Sequence, residues 1–297
     1  MLRSALLYLS RQPSLRRWAE TSKFAAPLTH RFVAGNTLAE AIAVCRKVNR
    51  EGVAVSLDHL GENVSTAAEA AQSRETCLQA IAKISDERLN STVSIKLTQF
   101  GLDLGDAICR DNVAPVVERA KAAGTRVEFD MESSGYVDRT LAIVAAMHER
   151  YGCVRAVIQA YLYRSEKDIE RLSAAGIPVR LCKGAYKEPP EVAFERKADV
   201  DANYLKLAKA LLERGVDPAL ATHDDRMVRA GDGHASDRFE FQMLYGVRRD
   251  LQRSMVEQGR RLRLYVPYGE AWYPYFMRRL AERPANVLFL AKSVLRN

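Results

Sequence analysis

Residues 92–130 read TVSIKLTQFGLDLGDAICRDNVAPVVERAKAAGTRVEFD, and this stretch decides the fold. TVSIKL (92–97) and RVEFD (126–130) alternate apolar with polar residues, the period-2 pattern of a strand. Between them, 106–122 has helical composition, and Gly124 stands where a helix stop belongs. Strand, helix, strand at this spacing is a βαβ unit, which makes the two strands parallel.

The same alternation extends in both directions. Upstream, Thr37 and Glu40 form a T-x-x-E capping box, and Leu38, Ala41, Ile42 and Cys45 fall at helical spacing, so a helix ends near Gly52. Further strand-type runs are VAVSLD (53–58), AVIQA (156–160), PVRLC (178–182), PALAT (218–222), FEFQML (239–244) and RLYV (263–266). Helical composition fills 65–87, 134–150, 165–175, 192–214, 225–236, 248–259 and 270–283, with Gly176, Gly215 and Gly259 as further stops. Eight strand–helix units in about 245 residues match a closed (β/α)₈ TIM barrel in number and size. An open doubly wound sheet is the alternative. No Pro/Gly/Ser-rich linker divides the chain, so residues 37–297 are expected to form the barrel and residues 1–36 an N-terminal helical arm.

Composition excludes several classes. The chain has 297 residues, 47% hydrophobic and 28% charged, with 16 Gly and 10 Pro, unlike collagen-like, low-complexity or disordered chains. Its five cysteines, Cys45, Cys77, Cys109, Cys153 and Cys182, form no C-x-x-C pair. That argues against a disulfide framework or structural zinc, and for a reducing compartment. Net charge is +8, from 45 Lys+Arg against 37 Asp+Glu. The cations are spread along the chain, which argues against nucleic acid but is compatible with an anionic ligand or membrane surface. No stretch approaches the ~18 apolar residues of a membrane span. MLRSALLYLSRQPSLRRWAE (1–20) has no acid before Glu20; it reads as an amphipathic helical arm followed by a proline break, or as a transit peptide.

In a barrel the outward strand face packs on helices and is apolar, so polar alternates point inward. Val93, Ile95 and Leu97 then face out while Ser94 and Lys96 face in; Val127 and Phe129 oppose Glu128 and Asp130. Burying Lys96, Glu128 and Asp130 unpaired is costly, so they must pair with each other or with a ligand. The carboxyl ends of the strands, where barrel active sites lie, are all polar: Asp58-His59 and Glu62, Lys96, Asp130 and Glu132, Gln159 and Tyr161, Arg180 to Tyr186, Thr222-His223-Asp224, Gln242 and Tyr245, and Tyr265. In EAWYPYFMRRLAER (270–283), Arg278 and Arg279 lie three and four residues after Tyr275, so both guanidinium groups reach one ring. Such a pair suits a carboxylate, although taken by itself the spacing favours a solvated basic helix face paired with Glu282.

Other chemistries lack their signatures. No G-x-G-x-x-G follows a strand, and there is no Walker loop. The histidines His30, His59, His148, His223 and His234 show no metal-ligand spacing, and no G-x-S-x-G elbow occurs. The residues alone point to a barrel enzyme with a carboxylate- or phosphate-bearing ligand.

V-R-L-C-K-G-A-Y-K-E-P (179–189) and Y-x-P-Y-G…Y-F-M-R-R-L-A-E (265–282) resemble proline dehydrogenase, as do S-I-K-L (94–97), D-M-E (130–132), V-I-Q-A-Y (157–161) and A-T-H-D (221–224). The resemblance spans about residues 30–290 and is similar in size to the short monofunctional bacterial form. It implies a distorted (β/α)₈ barrel that binds FAD noncovalently and oxidises L-proline to Δ1-pyrroline-5-carboxylate, the first step of proline catabolism to glutamate. Electrons would pass to a membrane quinone, from a cytoplasmic enzyme peripheral at the inner membrane and able to form a homo-oligomer. By resemblance Arg278, Arg279 and Lys96 hold the proline carboxylate, Asp130 and Glu62 pair with the arginines, and Leu181, Tyr186, Tyr265 and Tyr275 enclose the ring. Arg180 would lie near flavin N5 and Gln159 at the ring's polar edge. Lys183, Gly184 and Ala185 would meet the phosphate and ribitol, with Thr222, His223 and Glu282 as further FAD contacts. No metal is implied. Lys187 departs from members with an aromatic residue there. Two other readings are a Schiff-base aldolase using Lys96 or Lys183, and a basic surface-binding protein acting through its N-terminal arm.

Overall fold

The computed structural model describes residues 31–61, 63–235, 237–273, 275 and 277, together with Gln12. Its strands are β1 (Ala54–His59), β2 (Ser91–Ile95), β3 (Val127–Phe129), β4 (Val154–Gln159), β5 (Val179–Cys182), β6 (Ala219–Ala221), β7 (Glu240–Leu244) and β8 (Leu262–Tyr268). Each pairs in parallel with the next, and β8 pairs with β1 from Arg263↔Ala54 to Tyr268↔His59, closing the barrel. All eight strands fall on the runs expected, and the β1–β8 ladder excludes the open sheet.

The helices are α1 (Leu38–Arg50), α2 (Ala67–Asp86), α3 (Asp106–Ala122), α4 (Val137–Tyr151), α5 (Ser165–Ala174), α6 (Lys197–Arg214), α7 (Asp225–Val228) and α8 (Arg249–Glu257). The capping box at Thr37 and Glu40 opens α1, and Thr66 with Glu69 does the same for α2. Each box satisfies amide groups that a helix start would leave unpaired. Gly124, Gly176 and Gly259 take left-handed φ after their helices, whereas Gly215 keeps φ −76°.

Two helices are shorter than their composition suggests. The one expected from 192 begins at Lys197, because residues 192–194 pair instead with the loop after β4: Tyr163 N donates to Val192 O at 3.0 Å and Phe194 N to Tyr161 O at 2.8 Å. The one expected over 225–236 is a single α-turn followed by a 3₁₀ turn, Arg229–Gly231. There Gly231 lies so close to Phe239 and Phe241 that a Cβ would meet their rings at 2.7 and 2.8 Å. The expected 270–283 helix and the 1–36 arm lie mostly outside the described residues.

Val93, Ile95, Val127 and Phe129 are buried on the outer barrel face against the helices. A second apolar cluster lies beside the mouth, where Phe32 and Val33 join Leu60, Val247, Trp272, Tyr273, Tyr275 and Met277. Residues 31–35 reach it as a strap. Ala34 N donates to Pro267 O at 2.8 Å, Gly269 N to Gly35 O at 2.9 Å, and Arg31 Nε to Gly246 O at 3.3 Å. Gly246 has φ +74°, and a Cβ there would fall 1.7 Å from Arg31 O, so only glycine admits the strap.

Candidate active site

At the carboxyl ends of β1, β2 and β3, Lys96 sits between two acids. Its Nζ donates to Asp58 Oδ1 at 3.1 Å and to Asp130 Oδ2 at 3.2 Å. Tyr265 on β8 donates to the same Asp130 Oδ2 at 2.6 Å and accepts from Lys96 Nζ at 3.3 Å. Burial alone would raise the Asp130 carboxyl, but Arg180 and Lys96 outweigh it and hold it down at about 2. Burial dominates at Asp58, pushing its carboxyl up against the pull of Lys96 and with the help of Asp130. Its Oδ2 is buried and has no hydrogen-bond partner. Burial, with Asp130 and Asp58 adding to it, raises Tyr265 well above an ordinary phenol, so it stays a proton donor.

Below this cluster is a charged floor. Glu128 takes Arg155 Nη1 at 3.2 Å on one oxygen and Arg180 Nη1 at 3.0 Å on the other. Arg155 also binds Glu240 and reaches Asp217 Oδ2 at 2.9 Å, and Glu240 accepts from Arg263 Nε at 2.9 Å. Gln242 Nε2 links Glu128 and Glu240 at 3.0 and 2.9 Å. Arg180 connects floor to mouth: its Nη2 binds Asp130, and its guanidinium carbon lies 5.4 Å from the centre of the Tyr265 ring. The partners that inward-facing Lys96, Glu128 and Asp130 require are therefore protein groups.

A cavity of about 710 Å³ opens above the floor. Lys96, Asp130, Gln159, Arg180, Lys183, Gly184, Ala185, Tyr186, Thr222, His223, Tyr265 and Tyr275 all line it. Leu181 does not. Along β5, Arg180 and Cys182 turn inward to the cavity, and the alternation sends the fully buried Leu181 outward into the core. Arg278, Arg279, Glu282 and Glu62 lie outside the described residues. His223 Nε2 accepts from Leu244 N at 2.9 Å, which places the ring proton on Nδ1. Lys183 Nζ lies 2.6 Å from Asp201 and 3.1 Å from Asp224.

The sequence reading assigned no role to Asp58, Leu244 or Lys197, which also line the cavity. Asp58 stood among the polar strand ends. Lys197 shares Asp201 with Lys183, and its i,i+4 spacing to that aspartate was the available cue. Leu244, an apolar residue ending an apolar strand, carried no signal.

A family model for proline dehydrogenase matches residues 41–292. The chain belongs to the proline dehydrogenase family. It is 43% identical over 300 residues to proline dehydrogenase 2 of Bacillus subtilis (strain 168), covering 98% of each chain. To proline dehydrogenase of Deinococcus radiodurans it is 36% identical over 307 residues, covering 100% of this chain and 98% of that one. Among solved structures, proline utilization A (PutA) from Bdellovibrio bacteriovorus, inactivated by N-propargylglycine, matches with a TM-score of 0.80 at 27% identity. That match covers 86% of this chain and 32% of PutA, so the chain spans about a third of that protein's length. The activity belonging to the family is proline dehydrogenation in proline catabolism, with proline as substrate. In this proline dehydrogenase barrel the cavity lies at the carboxyl ends of the strands, the end at which barrel enzymes carry their active sites.

Proposed function

We propose that the enzyme oxidises L-proline to Δ1-pyrroline-5-carboxylate with a noncovalently held FAD, and that the electrons leave to a quinone. The observation that carries the reading is the cavity itself. It is large enough for a cofactor and a small substrate together, and cationic and hydrogen-bonding groups line it at every strand end. The residues fit a flavin nucleotide on a test of shape. Gly184 has φ +113°, and a Cβ there would lie 2.3 Å from the Tyr161 ring, so the Lys183–Ala185 turn exists only with glycine and presents bare backbone to the cavity. Lys183, Thr222 and His223 beside it supply donors for phosphate and ribityl oxygens, while Arg180 and Gln159 form the polar floor beneath a ring system.

When bound, FAD would supply the acceptor for the hydride from proline C5, while the proline nitrogen gives up its proton to solvent as the C=N bond forms. The protein's own work is binding and orientation. Arg278, Arg279 and Lys96 take the carboxylate, Asp130 and Glu62 hold the cations, and Tyr186, Tyr265 and Tyr275 enclose the ring and exclude water. Contact with a membrane surface would bring the quinone within reach; among the described residues no helix is long and apolar enough to cross a membrane.

The Schiff-base alternative requires a neutral amine. Lys96 and Lys183 are each pinned between two carboxylates, contacts that an attacking amine would have to give up. The deciding experiment is a visible spectrum of the purified protein before and after anaerobic L-proline. A flavin spectrum that bleaches supports the proposal; absence of flavin even after added FAD overturns it.

A further inference from the structure

Glu128 is fully buried and does not line the cavity, yet it makes more charged contacts than any acid that does. Its Oε2 accepts from Arg180 Nη1 at 3.0 Å and from Gln242 Nε2 at 3.0 Å. Its Oε1 accepts from Arg155 Nη1 and Thr92 Oγ1, both at 3.2 Å. Arg155 cannot follow a shifting partner, because Glu240, Asp217 Oδ2 and the Asp217 carbonyl hold it as well. Arg263, which charges Glu240 from the other side, is tied to Val55 O at 2.8 Å. Glu128 is thus a fixed point from which the Arg180 side chain rises into the cavity.

Charge bookkeeping gives it a second role. Around the floor, Glu128 and Glu240 face the guanidinium groups of Arg155, Arg180 and Arg263. Removing one carboxylate leaves a buried positive charge directly under the cavity, where the low dielectric magnifies its effect.

We propose that Glu128 is a positioning residue for the reaction: it fixes the direction of the Arg180 guanidinium and offsets its charge, and so sets how strongly the cavity floor draws electron density in the ring above it. This rests on the FAD reading. Arg180 touches the ligand, and Glu128 acts only through Arg180.

The test compares two variants of the full-length, FAD-loaded protein. Glu128→Gln keeps the side chain's length and removes its charge; Glu128→Asp keeps the charge and withdraws it by one methylene. Flavin midpoint potential, retained flavin, KM and kcat are measured for each. Glu128→Gln should raise the midpoint potential, because reduced flavin carries more negative charge and the floor is now more positive. Glu128→Asp should leave the potential near wild type while kcat falls by on the order of 100-fold, the effect of about 1 Å of misplacement, with KM little changed. A merely structural role would move neither potential nor kcat in retained, folded protein. Glu128→Gln that keeps its flavin at the wild-type potential overturns the proposal. If that variant does not fold, an unchanged kcat in Glu128→Asp overturns it instead. Wild-type protein without flavin would bring down the FAD reading and this inference together; wild-type bleaching by proline alongside unaltered variants brings down this inference alone.

Discussion

Arg155 at the floor of the barrel and Lys96 at its mouth are each held between carboxylates, but the two cations are held for different ends. Arg155 is wholly buried and bonded to three acids, all of them within the protein. Lys96 keeps 13% of its side chain exposed and faces Asp58, one of whose oxygens has no partner. At the floor each charged group meets an opposite charge of the protein itself, although the buried Arg155 Nε has no hydrogen-bond partner, so the floor is held together internally. At the mouth the accounts are left incomplete on one side, where a ligand can enter. The same residue types therefore build a scaffold or line a cavity according to their depth in the barrel: Lys96 and Asp58 reach the cavity and Arg155 does not.

That contrast can be broken by experiment. The largest expected effect is on stability: Arg155→Met leaves Glu128 and Glu240 buried without their shared cation, and breaking such a pair costs about 3–5 kcal/mol, measured by denaturant unfolding. An unchanged midpoint would show that the floor is not architecture. Lys96→Met should act mainly on binding, weakening proline by about 1.5–3 kcal/mol for a lost charged contact, read as a rise in KM. Its cost to folding is smaller because Asp58, already raised by burial, can take up a proton.

Acid should next expose the mouth. Asp130 is held at about 2 when folded, against about 3.9 in an unfolded chain. Its contribution is thus complete above about pH 5 and lost as pH falls through about 4 and below about 2, roughly 2 to 3 kcal/mol in all. Asp58 has the opposite sign, since the folded state binds its proton more tightly. Comparing the acid unfolding of wild type with Asp130→Asn should show the difference shrinking across that window. The smallest effect is expected outside both regions. Arg46 and Glu87 pair at 2.6 Å on the surface, and Arg46→Ala should leave the melting temperature unchanged, because exposed pairs contribute little.

The sequence exposed the mouth far better than the floor. Strand alternation turned Lys96, Glu128 and Asp130 inward and showed that they needed partners, since unpaired buried charge is prohibitive. It could not say which partners. Arg155, Glu240 and Arg263 lie toward the amino ends of their strands, away from the carboxyl ends where chemistry was sought; Glu240 and Arg263 fell inside the expected runs without a role, and β4 was read from 156, one residue after the arginine that matters. Glu128 meets Arg180 across 52 positions and Arg155 meets Glu240 across 85, distances with no local signature. Helix starts failed for a related reason. Residues 192–196 have helical composition, but the tertiary bridge to the β4 loop claims them first. Leu181 was placed in the site by resemblance, and the period of its own strand turns it away.

The strap has a consequence in the order of synthesis. Arg31 rests on Gly246, 215 positions later, and Ala34 on Pro267. A ribosome makes Arg31 of the strap 215 positions before Gly246 of its seat. Until β8 emerges, Phe32 and Val33 lack the apolar partners beyond residue 240, and β1 offers an unpaired edge. A nascent or truncated chain thus displays features that the finished enzyme hides, and quality-control machinery can tell the two apart before any substrate is bound.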